Sequence, residues 1–245
     1  MPQNKYDDPA FFAAYSAMPR STGGLGAALE WPVLCALLPD LRGKRVLDIG
    51  CGFGWHCRWA RGQGAASVLG IDVSERMLAR AVEATADPAI AYRRGAIEDM
   101  ALPAGSFDLV LSSLALHYVE HFDPVCRRVA ECLVAGGSFV LSVEHPVFTA
   151  RAEQDWWRSE DGTPLHWPVD GYQHEGLRRT AWLAEDVVKY HRTLASWING
   201  LIDAGFRIDR LAEPGPPEAA IADRPELRHE LRRPMFLMIS ATKAR

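Results

Sequence analysis

The chain has 245 residues, 48% of them hydrophobic and 24% charged, with 20 Gly and 16 Pro, the make-up of an ordinary globular protein that can build its core by packing alone. A formal net charge of −4, with both signs scattered along the sequence, gives no electrostatic footprint for nucleic acid or for an anionic membrane. No apolar run approaches the ~18 residues that a membrane span needs, and MPQNKYDDPAFF lacks the pattern of a signal peptide; a cytoplasmic protein is expected, with Cys35, Cys51, Cys57, Cys126 and Cys132 as reduced, structural thiols.

In chain order, FFAAYSAMPRSTGGLGAALEW reads as a short helix, a turn at Pro19 and Gly23-Gly24, and a second helix, so that residues 1–43 form an N-terminal helical flap. From Lys44 the chain alternates short β-branched runs with longer amphipathic segments, the pattern of βαβ units in a largely parallel sheet. Strands are expected at Arg45–Ile49, Ser67–Ile71, Ile90–Arg93 and Phe107–Ser112, with helices at Trp55–Gln63 and at Ser74–Ala84, the latter capped by Ser74. A helix over Asp123–Val134 should stop at Gly136-Gly137, and Ser138–Val143 gives a fifth strand, closing a core at residue 144. Between Glu144 and Val187 the rhythm breaks into Trp, His, Pro and charged residues, and residues 145–192 read as a cap inserted over one end of the sheet. Within it, Gly176–Leu183 and Val187–Arg192 can pair as a hairpin. Residues 193–245 return to the sheet with a helix at Leu194–Ala204, a strand at Phe206–Leu211, an EPGPPE loop, a helical turn or two at Arg224–Leu231 and a last strand at Met235–Ala241.

The most informative stretch is VLDIGCGFGWH, where an apolar strand runs through Asp48 into Gly50, Gly52 and Gly54. Glycines there let the backbone turn sharply and approach a ligand closely, and a Gly-rich first β-to-α turn marks the point in an open α/β sheet where strand order reverses and ligands bind. A dinucleotide fingerprint needs G-x-G-x-x-G, whereas Trp55 occupies the place of the third glycine. A nicotinamide-dependent oxidoreductase is therefore the minor alternative.

Asp48 two residues before the first glycine and Asp72 at the end of the second strand give an arrangement that resembles the class I S-adenosylmethionine-dependent methyltransferases, over most of the chain. The resemblance implies a Rossmann-like, doubly wound α/β fold: a mostly parallel seven-stranded sheet with helices on both faces and the last strand antiparallel. It implies S-adenosylmethionine as cofactor, with Asp48, Gly50, Cys51, Gly52 and Gly54 around its amino-acid and ribose portions and Asp72 on both ribose hydroxyls, a role suited to a carboxylate's two acceptor oxygens. RRGAIEDMALPAGSFDLVLSSLALHYVE is similar to the family's acidic turn and fourth strand; by that likeness Val73 and Met77 pack on adenine, Ala96, Ile97 and Glu98 (or Asp99) cradle it, and Ser113 and Leu114 meet the methionine end. Many relatives carry an aspartate where Ala96 stands. In the flap Tyr15 and Arg20 are candidates, Arg20 as a partner for the cofactor's carboxylate.

Methyl transfer from a sulfonium needs orientation and exclusion of water more than a protein nucleophile. His145, following the fifth strand in SVEHPV, is the candidate general base; His117, Tyr172 and His191 are candidate acceptor contacts, with Glu175 behind them. SSLA replaces the N/D-P-P-Y turn of relatives that methylate DNA bases or glutamine, which with the acidic balance points to a small-molecule acceptor, no nucleic acid or membrane partner, and a monomer or homodimer. No metal site is expected, since no His/Asp grouping has ligand spacing. A protein that binds the cofactor without catalysis is the remaining alternative.

Overall fold

The computed structural model describes residues 3–244. Three short helices, α1 (Pro9–Ser16), α2 (Pro19–Thr22) and α3 (Trp31–Ala36), precede the sheet. The first half then alternates β1 (Arg45–Ile49), α4 (Trp55–Gly62), β2 (Ser67–Asp72), α5 (Glu75–Glu83), β3 (Ile90–Arg94), β4 (Phe107–Ser113), α6 (Phe122–Cys132) and β5 (Leu133–Glu144). A segment outside the main sheet follows, made of α7 (Pro146–Thr149), a two-stranded ribbon of β6 (Trp157–Arg158) and β7 (Pro164–His166), and a hairpin of β8 (Gly176–Trp182) and β9 (Ala184–His191). The chain closes with α8 (Leu194–Asp203), β10 (Phe206–Ala212), α9 (Glu218–Asp223) and β11 (Phe236–Lys243).

Seven strands form one sheet in the order β10-β11-β5-β4-β1-β2-β3. All neighbours pair in parallel except β11, which lies antiparallel between β5 and β10. Strand β1 pairs with both β2 and β4, so the order reverses there and opens a crevice at the carboxyl ends of those strands.

Period-two alternation sends successive side chains to opposite faces, and both faces are covered. Leu47, Ile49, Val110, Phe139 and Leu141 pack on one side against α6 and α8, where Trp197 meets Phe122 edge to face with ring centroids 4.4 Å apart. Val46, Val68, Leu109, Leu111 and Val140 pack on the other against Leu34 of α3, Cys57 and Ala60 of α4 and Leu78 of α5.

Two local expectations are corrected. Helix α6 ends at Cys132 and β5 already begins at Leu133, paired with Phe107, because Gly136 at φ 75° breaks the register inside the strand instead of stopping the helix. The Arg224–Leu231 turn is 3-10 over Pro225–Arg232, and α9 before it was not foreseen. The tryptophans of the segment outside the main sheet divide their work: Trp156 and Trp167 flank the Arg233 guanidinium, 4.3 Å from the Trp167 ring, Trp157 is exposed, and Trp182 reaches a cavity.

Candidate active site

A cavity of about 520 Å³ lies at the carboxyl ends of β1, β2, β4 and β5, beneath the N-terminal segment and the β8–β9 hairpin. Its floor is the loop after β1. The amides of Gly50 and Cys51 both donate to the Ile71 carbonyl, at 2.8 and 3.0 Å, which pins the loop to β2. At Gly50 (φ 73°) a Cβ atom would stand 2.3 Å from the Cβ of Ala115, so only glycine lets the β1 loop and the β4 loop meet.

Asp72 ends β2 with its carboxylate held from behind. Oδ2 accepts the Gly52 amide at 2.8 Å and Oδ1 the Ser74 amide at 2.9 Å. Each oxygen keeps a lone pair for a further donor, the geometry a ribose diol requires. Burial raises its pKa, against the pull of those two amides. Val73, Met77, Ala96, Ile97 and Glu98 line the cavity beside it, and Ser113 and Leu114 line it from the end of β4. Leu114 sits at φ 54°, its amide donating to the Ser142 carbonyl at 2.9 Å, a left-handed conformation that a leucine adopts only where its surroundings enforce it.

Two residues of the glycine motif stand outside the cavity lining. Asp48 is buried beneath the loop, where Oδ2 accepts from the Cys57 thiol at 3.2 Å and Oδ1 has no partner among the described residues. Burial pushes its pKa up to about 7. Gly54 (φ 70°) is the turn into α4, and a Cβ there would lie 2.2 Å from the Tyr92 hydroxyl. Both shape the loop from behind.

Arg20 reaches the cavity beside the start of α4, already ion-paired with Glu30. Near it lie His56, whose pKa burial lowers to about 4, and Trp55, whose buried Nε1–H has no partner among the described residues. An unspent indole donor, a guanidinium and a helix N-terminus make a fitting end for a carboxylate. The residues present therefore fit S-adenosylmethionine: diol acceptors at Asp72, a glycine floor, an apolar slot at Val73 and Met77, and donors at the far end.

The acceptor side departs from expectation. His145 does not line the cavity: it caps α7, its Nδ1 accepting from the Val147 amide at 3.0 Å, while Nε2 pairs with Glu213 at 2.7 Å. With both ring nitrogens engaged and burial lowering its pKa against the pull of Glu213, it is placed to hold the exit of β5 rather than to take a proton from an acceptor. Tyr172 and His191 are likewise turned to one another and away from the cavity. His191 Nε2 donates to the Tyr172 carbonyl at 2.9 Å, its Nδ1 meets Thr149 Oγ1 at 2.8 Å, and the Tyr172 hydroxyl accepts the Leu194 amide at 3.0 Å. Glu175 accepts the amide of Thr193, the cap of α8, at 2.7 Å.

His117 does line the cavity, and it belongs to a cluster the sequence did not reveal. Its Nδ1 accepts the Glu144 amide at 3.4 Å, and burial lowers its pKa to about 4. Glu144, the last residue of β5, binds Lys189 Nζ through Oε1 at 2.6 Å and Gln154 Nε2 through Oε2 at 3.0 Å. Lys189 Nζ also donates to Gln154 Oε1 at 3.1 Å, closing a ring of three side chains, and Lys189 is only 1% exposed. Burial pushes Glu144 up, but His117, Lys189 and the hydrogen bonds outweigh it and the net shift is downward. Gln154 holds φ 49°, the second left-handed non-glycine residue of the cavity wall.

Aromatic rings roof this corner. Tyr6 stands edge-on to Phe11, Tyr15 and Tyr118, and Tyr15 to Trp182. The roof is tied down at both sides: Asp7 accepts from Ser74 Oγ at 2.6 Å and from the Arg76 amide at 3.1 Å, while Gln3 Oε1 accepts the Val188 amide at 2.9 Å. Tyr15 was foreseen; Tyr6, Tyr118 and Trp182 carry no motif, and only the hydrophobic pattern of the first helix hinted at the covering.

Comparison with known proteins bears on the geometry just described. Residues 47–141, which hold the glycine loop, Asp72 and the β4 turn, match the methyltransferase domain family. A putative S-adenosylmethionine-dependent methyltransferase from Listeria monocytogenes is 51% identical, superposes with a TM-score of 0.83, and is matched over 89% of this chain and 100% of its own. The S-adenosylmethionine-dependent methyltransferase of Mesorhizobium loti is 50% identical, with a TM-score of 0.84 and coverages of 90% and 100%. An uncharacterised protein of Haemophilus influenzae is 34% identical over 249 residues, 97% of this chain and 96% of the relative. Full-length likeness at half identity excludes the nicotinamide alternative and agrees with the cavity's fit to the sulfonium cofactor: the chain belongs to the S-adenosylmethionine-dependent methyltransferases.

Proposed function

We propose that this methyltransferase acts on a small molecule, in the cytoplasm, taking it into the cavity beside the cofactor. The observation that carries this reading is the buried Glu144–Lys189–Gln154 ring with His117, which lines the same cavity as Asp72 and lies under the Tyr6–Tyr15–Trp182 roof. A polar cluster buried at such a depth suits a ligand that enters whole. The net charge of −4 also offers little to a phosphate backbone. A tRNA U34 carboxymethyltransferase of Methylococcus capsulatus is 33% identical over 192 residues, but this chain spans 52% of that protein.

S-adenosylmethionine supplies a methyl group on a sulfonium, an electrophile open to in-line displacement. Asp72 would hold the ribose, the loop from Gly50 to Gly52 would face the amino-acid portion, and Val73 and Met77 would receive the adenine. Tyr6, Tyr15 and Trp182 exclude water from above, which suits a reaction that disperses charge. The ring at the ends of β4 and β5 would hold the acceptor on the side away from β2.

The direct test is transfer of labelled methyl from S-adenosylmethionine into a cell extract separated into low-molecular-weight, RNA and protein fractions. Label is expected in the low-molecular-weight fraction. Label confined to RNA or protein would contradict the reading.

A further inference from the structure

The chemistry of the acceptor can be narrowed from the unspent hydrogen-bonding capacity of the buried corner, an argument that rests on the small-molecule reading above. A lysine ammonium has three protons to give. Lys189 gives one to Glu144 and one to Gln154, at 2.6 and 3.1 Å, and the ammonium stands 5.5 Å from the Trp182 ring centre with no further hydrogen-bond partner among the described residues. Because His117 Nδ1 accepts the Glu144 amide, its proton resides on Nε2, which likewise has no partner among the described residues. The corner thus holds two unspent N–H donors, while each Glu144 oxygen and the Gln154 oxygen accept one bond and the Glu144 charge is met by the Lys189 ammonium.

Strong proton acceptors are what the corner lacks. His117 is kept neutral far below neutrality, with its Nε2 already protonated, and Glu144, held below the usual carboxylate range and tied to Lys189 and Gln154, is a weak base. A hydroxyl that must lose its proton as the methyl arrives is poorly served there, and an ammonium would meet the Lys189 charge at close quarters.

We infer that Lys189 and His117 form an oxyanion-binding subsite, and that the acceptor is methylated on an oxygen already ionised on arrival, a carboxylate or an ionised phenol or enol. The step balances without proton transfer: a lone pair of the oxyanion forms the new oxygen–carbon bond, and the carbon–sulfur pair stays on sulfur as the sulfonium becomes a neutral thioether. Glu144 and Gln154 are positioning residues; they fix the ammonium, the Gln154 amide bonding both Glu144 and Lys189.

The experiment is calorimetric titration of the full chain, saturated with S-adenosylhomocysteine, at mildly alkaline pH. The probes are benzoate and 4-nitrophenolate, with benzyl alcohol and benzylammonium as uncharged and cationic controls of similar size. At least one oxyanion is expected to bind about tenfold or more tightly than either control, the margin of one charge-assisted hydrogen bond, and the preferred oxyanion separates a carboxylate from a phenolate site. Lys189→Met should bring that probe down to the level of benzyl alcohol. The double variant Glu144→Gln/Lys189→Met removes both buried charges together, so that folding is spared, and should show the same loss with S-adenosylhomocysteine affinity unchanged. Absence of saturable oxyanion binding, equal binding of a control, or retention of oxyanion binding in the double variant would overturn the subsite. Failure of S-adenosylhomocysteine itself to bind would instead strike the reading beneath it.

Discussion

The two ends of the cavity are built on different plans. At the end proposed for the cofactor, the residues follow the chain: Asp48, the glycines and Asp72 sit within one strand–helix–strand unit, and Gly52 and Asp72 are joined by a 2.8 Å hydrogen bond. At the end proposed for the acceptor, the residues are assembled from afar. Glu144 and Lys189 stand 45 positions apart, and His117 is 27 before Glu144. A backbone cradle leaves a local signature in sequence, because glycine is required where the chain turns left-handed or passes close. A ring of side chains drawn from three segments leaves none.

The difference sets what each region should lose on mutation. The largest effect is expected at the acceptor end, and in stability: Glu144→Ala strands the buried Lys189 ammonium and should cost about 3–5 kcal/mol, read by chemical denaturation. A near-neutral result would place that lysine in water and break the contrast. Asp72→Ala should leave stability close to wild type but weaken S-adenosylhomocysteine by about 100-fold, two charge-assisted bonds lost at ~1.5 kcal/mol or more each.

The pH dependence of stability sharpens the same contrast. Burial lowers His117 and His56 to about 4 from the 6.5 of a free imidazole, so between those limits the unfolded chain binds more protons and stability rises with pH. Asp48 acts oppositely, its folded value of about 7 against 3.8 removing stability as pH rises through that window. His145 and His191, also lowered by burial, add to the rise and Asp72, also raised by burial, opposes it; four histidines against two carboxyls leave a net rise from about pH 4 to 6.5, and His117→Asn should flatten it by on the order of 2–3 kcal/mol. A slope unchanged in that variant would mean that the imidazole titrates freely. The smallest effect belongs to His145→Ala, which removes the cap of α7 and should cost about 1 kcal/mol of stability with methyl transfer retained. A large loss of kcat there would return the base to His145.

How much was legible follows from the same division. The individual strands and their βαβ rhythm were legible as apolar runs, since both faces of the sheet are buried and each strand carries its pattern alone, whereas the seven-stranded whole and the antiparallel β11 were implied by the family resemblance. The glycine loop was readable for the same local reason, while the roles of Asp72, Val73 and Met77 were implied by the family resemblance, and the structure places all three in the cavity lining. His145 misled because a histidine at a strand's carboxyl edge looks identical in sequence whether it faces the cavity or turns back to cap the next helix; the Val147 amide and Glu213, 68 residues downstream, decide it. Tyr172 and His191 misled likewise, each satisfied by the other's segment. Lys189 passed unnoticed among the scattered charges of a hairpin, although its neighbours Val187 and His191 share its buried face and that alternation marks Lys189 as inward.

The division itself is the central claim, and one set of titrations tests it: S-adenosylhomocysteine into the wild type, Asp72→Ala and Glu144→Gln/Lys189→Met, followed by benzoate and 4-nitrophenolate into those that bind it. The account predicts that Asp72→Ala loses the sulfur ligand, while the double variant keeps it at wild-type affinity and loses the oxyanion. Loss of S-adenosylhomocysteine in the double variant, or its retention in Asp72→Ala, would show that the two ends are not separate sites.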